Sequence, residues 1–339
     1  MTGWLHNLED ESRRTSINQA SLISGITPKA LEKDWWVTLA LKLLFDSKYG
    51  SFFTFKGGTS LSKGWQIIDR FSEDIDIALN SEAFGKKYVT EPSKTYVEQL
   101  RRAGCKFTST EIANELTAQF VKFQIPERLH SIEIEEIDPE IPDKDPQIIY
   151  VNYKSLFDPN PYLPDRIKIE FSVRSQNGPS QSKQMQTLLN SYFPSELYNE
   201  IAFSVTSMLP EKTFIEKILL LHEEFNRVEE SKIRTHRMSR HFYDIFRLFQ
   251  LSEFTAALTD LHFINDIIAH RKSYSRLRHF DYSSLRIGHI QIIPPEKIIT
   301  ALKTDYDEMA TEMIYGRPPT FPDLIDTAGK IQDLINQKM

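Results

Sequence analysis

FKGGTSLSKGWQIIDRFSEDIDIAL, residues 55–79, decides how the rest of the chain is read. Two glycines and two hydroxyl residues come first, and an Asp-Ile-Asp triplet follows inside an apolar run. In a strand, residues i and i+2 project to the same face. A strand over 74–79 therefore puts Asp74 and Asp76 on one side and Ile75 and Ile77 on the other. Two carboxylates held together repel unless a cation lies between them. Hard oxygen ligands of this kind suit Mg²⁺ (or Mn²⁺), which takes one or two carboxylates plus substrate phosphates. Gly57 and Gly58 let backbone amides come close to a ligand, Thr59 and Ser60 add hydroxyl donors, and Lys56 adds a cation. A helix predicted over 61–69 would offer its N-terminus to an anion. The parts together predict a Mg–nucleoside triphosphate site. The stretch is neither a Walker A loop nor a dinucleotide fingerprint, because G-x-x-x-x-G-K-[ST] and G-x-G-x-x-G are both absent.

Outward from this stretch the pattern is mixed. Residues 28–46 read as a helix with Thr27 as N-cap and Pro28 at its first position. Strands are predicted at 52–56, 118–124, 130–136, 148–153 and 167–173, and a helix at 93–104. Residues 139–166 carry six prolines and read as loop around the 148–153 strand. From Pro210 the helical period takes over, at 210–225, 240–251, 254–269, 295–314 and 321–337. The expected fold class is α+β: a mixed sheet core over residues 1–205, then a helical domain over 206–339.

Composition narrows the function classes. The chain has 339 residues, 40% hydrophobic and 26% charged, as soluble globular proteins have. A net charge of -6 does not mark a bulk nucleic-acid binder, although a local basic patch remains open. Cys105 is the single cysteine, which excludes an internal disulfide framework. The N-terminal MTGWLHNLEDESRR lacks a signal-peptide core, and no stretch approaches the roughly 20 apolar residues of a membrane span. The expectation is a cytoplasmic protein with no membrane partner.

The glycine turn followed by Asp-x-Asp resembles the signature of the nucleotidyltransferase superfamily. More narrowly, FKGGTSL and RFSEDIDIAL resemble the AbiEii/AbiGii toxin family of bacterial nucleotidyltransferases. EKDWW (32–36), PEKTFIEKILLL (210–221), RHFYDIFRL (240–248) and LKTDYDEMATEMIYG (302–316) are similar to further stretches of that family. The resemblance implies a nucleotidyltransferase-fold core with its active site in a cleft against the helical domain. It implies catalytic roles for Asp74 and Asp76 as metal holders, for Lys217 on the triphosphate, and for Asp244 as its anchor or a helper of the metal. Gly57, Gly58, Thr59 and Ser60 would cradle phosphates. It further implies a toxin of a toxin–antitoxin or phage-defence pair, with a cognate antitoxin as partner. An NTP would be the substrate and an RNA, with the 3′ end of tRNA in first place, the acceptor.

Other polar residues enter with two readings each. Superfamily members often add a third carboxylate from a neighbouring strand. Glu170 in IKIEFSV is that candidate metal ligand, or else a solvent-facing residue sharing its face with Lys168. The segment 270–286, HRKSYSRLRHFDYSSLR, interleaves Arg271, Lys272, Arg276 and Arg278 with Tyr274, Phe280 and Tyr282. Basic groups meet phosphates and aromatic faces stack on unpaired bases, so the four cations are candidate RNA-binding residues. The alternative is a solvated helix face. The nine histidines show no metal-ligand spacing and read as structural. Two rival functions stay open: a nucleotidyltransferase acting on a small molecule of the antibiotic kind, and a non-catalytic nucleotide- or partner-binding module.

Overall fold

A helix buried almost all round organises the first part of the chain. In the computed structural model, which describes residues 2–138, 140–141, 144–277 and 279–337, Pro28–Phe45 is that helix. Thr27 caps it by accepting from the Ala30 amide, and Pro28 fills its first turn, as its sequence dictates. Trp36 stacks on Tyr153 with ring centroids 5.2 Å apart, and Trp35 packs on Trp4 at 4.7 Å.

The strands are β1 (Phe53–Lys56), β2 (Ile75–Leu79), β3 (His130–Ile134), β4 (Gln147–Tyr153), β5 (Arg166–Ser172), β6 (Ser180–Met185) and β7 (Phe203–Met208). They form one mixed sheet in the order β3-β4-β5-β2-β1-β7-β6. The centre decides where the site lies. β2 runs antiparallel to β1 on one side and parallel to β5 on the other. Ile75, Ile77, Ile167, Ile169 and Phe171 are all buried, so the alternation in β2 and β5 turns one face of each strand into the core.

The fold class matches the expectation of a mixed α+β protein. Several elements differ from their predicted form. The helix predicted over 61–69 is one turn at Gly57–Thr59 continued by a π-helical turn at Ser60–Gly64, and it stops there. The strand predicted at 118–124 is instead the second half of the helix Ala113–Lys122: Leu116, Gln119 and Phe120 bury one helical face. The helix predicted over 254–269 is broken into a short helix Ser252–Thr255, a 3-10 turn Ala256–Thr259 and the helix Leu261–Tyr274, where Asp260 accepts from the Phe263 amide. β6 and β7 were not foreseen. Of the loop predicted over 139–166, residues 139, 142 and 143 lie outside the described residues.

The chain divides into two compact units. The first holds the residues up to Gly64, Phe71–Val89 and Ser93–Met208, and so contains the whole sheet. The second holds Trp65–Arg70, Thr90–Pro92 and the chain from Leu209 on, with the helices Pro210–Phe225, Ser239–Phe249, Leu261–Tyr274, Glu296–Glu312 and Phe321–Asn336. The short segment joining the glycine turn to the acidic strand thus belongs to the helical unit. Within that unit Asp69 pairs with Arg247 at 2.7 Å and its carbonyl accepts from the Tyr315 amide at 2.8 Å.

Candidate active site

In the sheet unit, β1 delivers the glycine turn directly beside the acidic strand. Lys56, the last residue of β1, is in register with Asp76, and Phe55 with Ile77. The chain then turns at Gly57, whose φ is +76°, a left-handed conformation that only glycine adopts without strain. A β-carbon at Gly57 would collide with the Asp76 carboxylate and lie 2.9 Å from its Cγ. Glycine here is thus required twice, by the backbone angle and by the acid seated against it.

Asp74 and Asp76 are half-buried while Glu73, Ile75 and Ile77 between and beside them are buried. The two acids therefore share the open face of the strand, as the i, i+2 spacing dictates. On the other side of β2, Asp76 is in register with Glu170 of β5. Glu170 Oε1 is taken up by an ion pair with Lys168 Nζ, two residues along the same strand face. Burial works against the charge on Lys168, but Glu170, then Asp74 and Asp76, raise its affinity for the proton above the ordinary lysine range. A resident cation thus already faces the acid row.

The hydroxyls of the turn point inward. Thr59 is 2% exposed; its Oγ1 donates to the Asp74 carbonyl and lies 2.8 Å from Ser72 Oγ. Ser60 is fully buried, with its Oγ 2.6 Å from Ser207 Oγ on β7. These side chains lock the turn onto β2 and β7. Lys56 and the main chain of Gly57 and Gly58 lie at the turn itself, beside Asp76.

In the helical unit, Lys217 and Asp244 meet. Lys217 Nζ lies 2.9 Å from Asp244 Oδ2 and 3.4 Å from His241 Nδ1. Arg70, which sequence reasoning passed over, clamps the same carboxylate in a fork, Nε to Oδ1 at 2.7 Å and Nη2 to Oδ2 at 2.8 Å. All three are buried. Burial would push the Asp244 carboxyl up, yet the Arg70 and Lys217 charges hold it well below the usual carboxylate range. Burial depresses Lys217, which Asp244 partly offsets. Burial, then the cations Lys217 and Arg240, keep His241 far below the ordinary histidine range, so it is a neutral neighbour at pH 7. One acid thus fixes two cations here.

In the basic segment 270–286, Arg271, Arg276, Tyr274 and Phe280 have partners within the protein. Arg271, half-buried, makes a two-bond fork on the buried Glu223, with Nε to Oε1 at 2.9 Å. Arg276 gives its Nη2 to the Pro92 carbonyl at 2.9 Å and its Nε to the Ser273 carbonyl at 2.8 Å. Tyr274 is buried and stacked on His270, and Phe280 is buried against Tyr282. Lys272 is half-buried, and Arg278 lies outside the described residues.

Two acids on one strand face beside a glycine turn fit a divalent cation that completes its shell with substrate phosphates. Among the described residues no three His, Cys, Asp or Glu side chains are grouped so as to hold a metal without such help. Asp74 and Asp76 fit the group, and Glu170 is in register with Asp76 with one oxygen on Lys168. No helix among the described residues is long and apolar enough to cross a membrane.

At the centre of the mixed sheet, then, a glycine turn is docked on an Asp-x-Asp strand. The chain belongs to the AbiEii family: the family model described as "Nucleotidyl transferase AbiEii toxin, Type IV TA system" matches residues 40–328. The match covers the turn, the acid strand, Lys217 and Asp244. No curated protein matches the chain. The family makes the protein an enzyme that uses an NTP, and a toxin paired with a cognate antitoxin.

Proposed function

We propose that this toxin transfers a nucleoside monophosphate from an NTP to a hydroxyl of an RNA, with the 3′ end of tRNA as the first acceptor to test, and that it works with Mg²⁺ (or Mn²⁺) in the cytoplasm. One observation carries the metal-dependent reading: the Asp76 carboxylate is seated against Gly57, in register with Lys56, so that acid and phosphate-binding turn occupy one place.

Asp74 and Asp76 would hold the metal, which when bound would neutralise charge building on the α-phosphate and help activate the attacking hydroxyl. The chain's own groups do the rest. The backbone of Gly57 and Gly58 and the Lys56 cation bind the phosphates. Thr59, by gripping the Asp74 carbonyl, keeps turn and strand in fixed relation. Lys217, which the family resemblance assigns to the triphosphate, is oriented by its ion pair with Asp244. The bond formed joins the acceptor oxygen to the α-phosphorus; the bond broken releases pyrophosphate.

A second reading keeps the same chemistry and exchanges RNA for a small acceptor. It is favoured by the internal commitments of Arg271, Arg276, Tyr274 and Phe280. The test is incubation of purified protein with Mg²⁺, total RNA or a small-metabolite extract, and each α-³²P-labelled NTP, beside Asp74→Ala. Label in an RNA band that vanishes with the variant supports RNA. Label only in a small product moves the acceptor. No transfer to either overturns the proposal.

A further inference from the structure

EKDWW, residues 32–36, has so far no part in the chemistry. Its three charges sit side by side on a buried helix, where an ion is costly unless paired and hydrogen-bonded. Glu32 is hydrogen-bonded, and Lys33 and Asp34 are ion-paired. Glu32 accepts from the Leu156 amide at 2.8 Å and from the Ser155 hydroxyl, in the loop after β4. Lys33 pairs with Glu73 and donates to the Pro164 carbonyl at 2.8 Å. Asp34 pairs with Lys63 at 2.7 Å and accepts from the Leu188 amide at 2.7 Å, while Lys63 also donates to the Gln186 carbonyl at 2.9 Å.

Two of these partners belong to the site. Glu73 is the residue before Asp74, buried on the face opposite the two acids. Lys33 thus grips the acidic strand from its core side, at the point where the strand begins. Lys63 lies in the π-helical turn Ser60–Gly64 that continues the glycine turn. Asp34 thus holds the other half of the site. Neighbouring residues of one rigid helix fix the spacing between turn and strand. We propose that Lys33 and Asp34 are positioning residues of the transferase site: Lys33 sets the metal-holding acids, and Asp34 sets the phosphate-binding turn. The inference rests on the reading of Asp74 and Asp76 as the acids that hold the metal.

Glu32 is the internal control. It is 1% exposed, as Lys33 is, on the same helix, and its partners lie away from turn and strand. Mn²⁺ binding is measured by electron paramagnetic resonance on wild type, Glu32→Gln, Lys33→Met, Asp34→Asn, and the double variant Lys33→Met with Glu73→Gln. The double variant removes both buried charges and so leaves no unpaired ion behind. Outer partners of metal-holding residues typically control affinity by about 10–100-fold, and a loss of that size is expected for Lys33→Met and the double variant. Glu32→Gln keeps wild-type Mn²⁺ affinity. Asp34→Asn keeps Mn²⁺ affinity and weakens binding of the α,β-methylene analogues of the four NTPs in the presence of Mn²⁺. Lys33→Arg, which restores the charge, recovers Mn²⁺ binding.

A folded double variant with wild-type Mn²⁺ affinity overturns the inference, and so does an equal loss in Glu32→Gln. Asp74→Ala tests the metal site itself: if it binds Mn²⁺ as wild type does, Asp74 does not hold the metal.

Discussion

Gly57 and Gly85 form a natural pair for isolating what the site requires of its turn. Both have positive φ, +76° and +74°. A left-handed backbone costs an L-residue about 1–2 kcal/mol, so Gly57→Ala and Gly85→Ala share that strain. They differ in what the new methyl group meets. Nothing lies within 4 Å of a β-carbon at Gly85, whereas at Gly57 the Asp76 carboxylate fills the space. Strain alone leaves a domain of about 5–15 kcal/mol stability folded. The collision, by contrast, must displace Asp76 or the turn. A misplacement of about 1 Å in reacting geometry costs on the order of 100-fold in rate. The assay is pyrophosphate release by purified protein, with a urea unfolding curve for each variant. Similar midpoints and a rate loss of that order in Gly57→Ala alone are expected. A Gly57→Ala rate matching that of Gly85→Ala would refute the claim that acid and turn form one site.

Three further outcomes follow from named contacts. Asp244→Asn leaves Arg70 and Lys217 buried without their counter-charge and should cost about 3–5 kcal/mol in urea unfolding. Because the Asp244 carboxyl is depressed in the folded protein, its stabilisation is complete above its ordinary value near pH 4 and drains away as pH falls from there towards the depressed value; a stability–pH curve flattened in the variant would show it, and an unchanged acid limb would argue against it. Arg271→Ala should lower stability by a similar about 3–5 kcal/mol, since it strands Glu223, and should leave the concentration of RNA needed for half-maximal labelling unchanged; the reverse pattern would restore the RNA-binding role. Thr59→Val removes the donor to the Asp74 carbonyl and should cost about 1–3 kcal/mol, recovered by Thr59→Ser; equal unfolding midpoints for all three proteins would show that the hydroxyl does not secure the strand.

The centre of the fold was legible because its signals are local and strong. GGTS forces a turn, and the period-two run of Asp74–Ile77 fixes a strand with its acids on one face. Thr27-Pro28 announces the start of the central helix. The rest was hidden for identifiable reasons. SQSKQM carries almost no apolar period, so β6 takes its strand form from pairing with β7 rather than from its own side chains. A short apolar run such as 118–124 fits strand and helix alike, and only burial on one helical face decides. Arg70 could not be matched with Asp244 across 174 positions. Nor does a count of positive residues over 270–286 reveal that Arg271 faces inward to Glu223. Charge is written in sequence, but its direction is set by tertiary packing.

The central claim is nucleotidyl transfer dependent on the acid pair, and position of label tests it most directly. Purified protein is given the preferred NTP labelled at the α-phosphate in one reaction and at the γ-phosphate in another, with acceptor and Mg²⁺, beside Asp76→Asn. The expected result is α-label in the acceptor, γ-label only in pyrophosphate, and neither product with the variant. Label reaching the acceptor from the γ-phosphate, or undiminished α-transfer by Asp76→Asn, would contradict it.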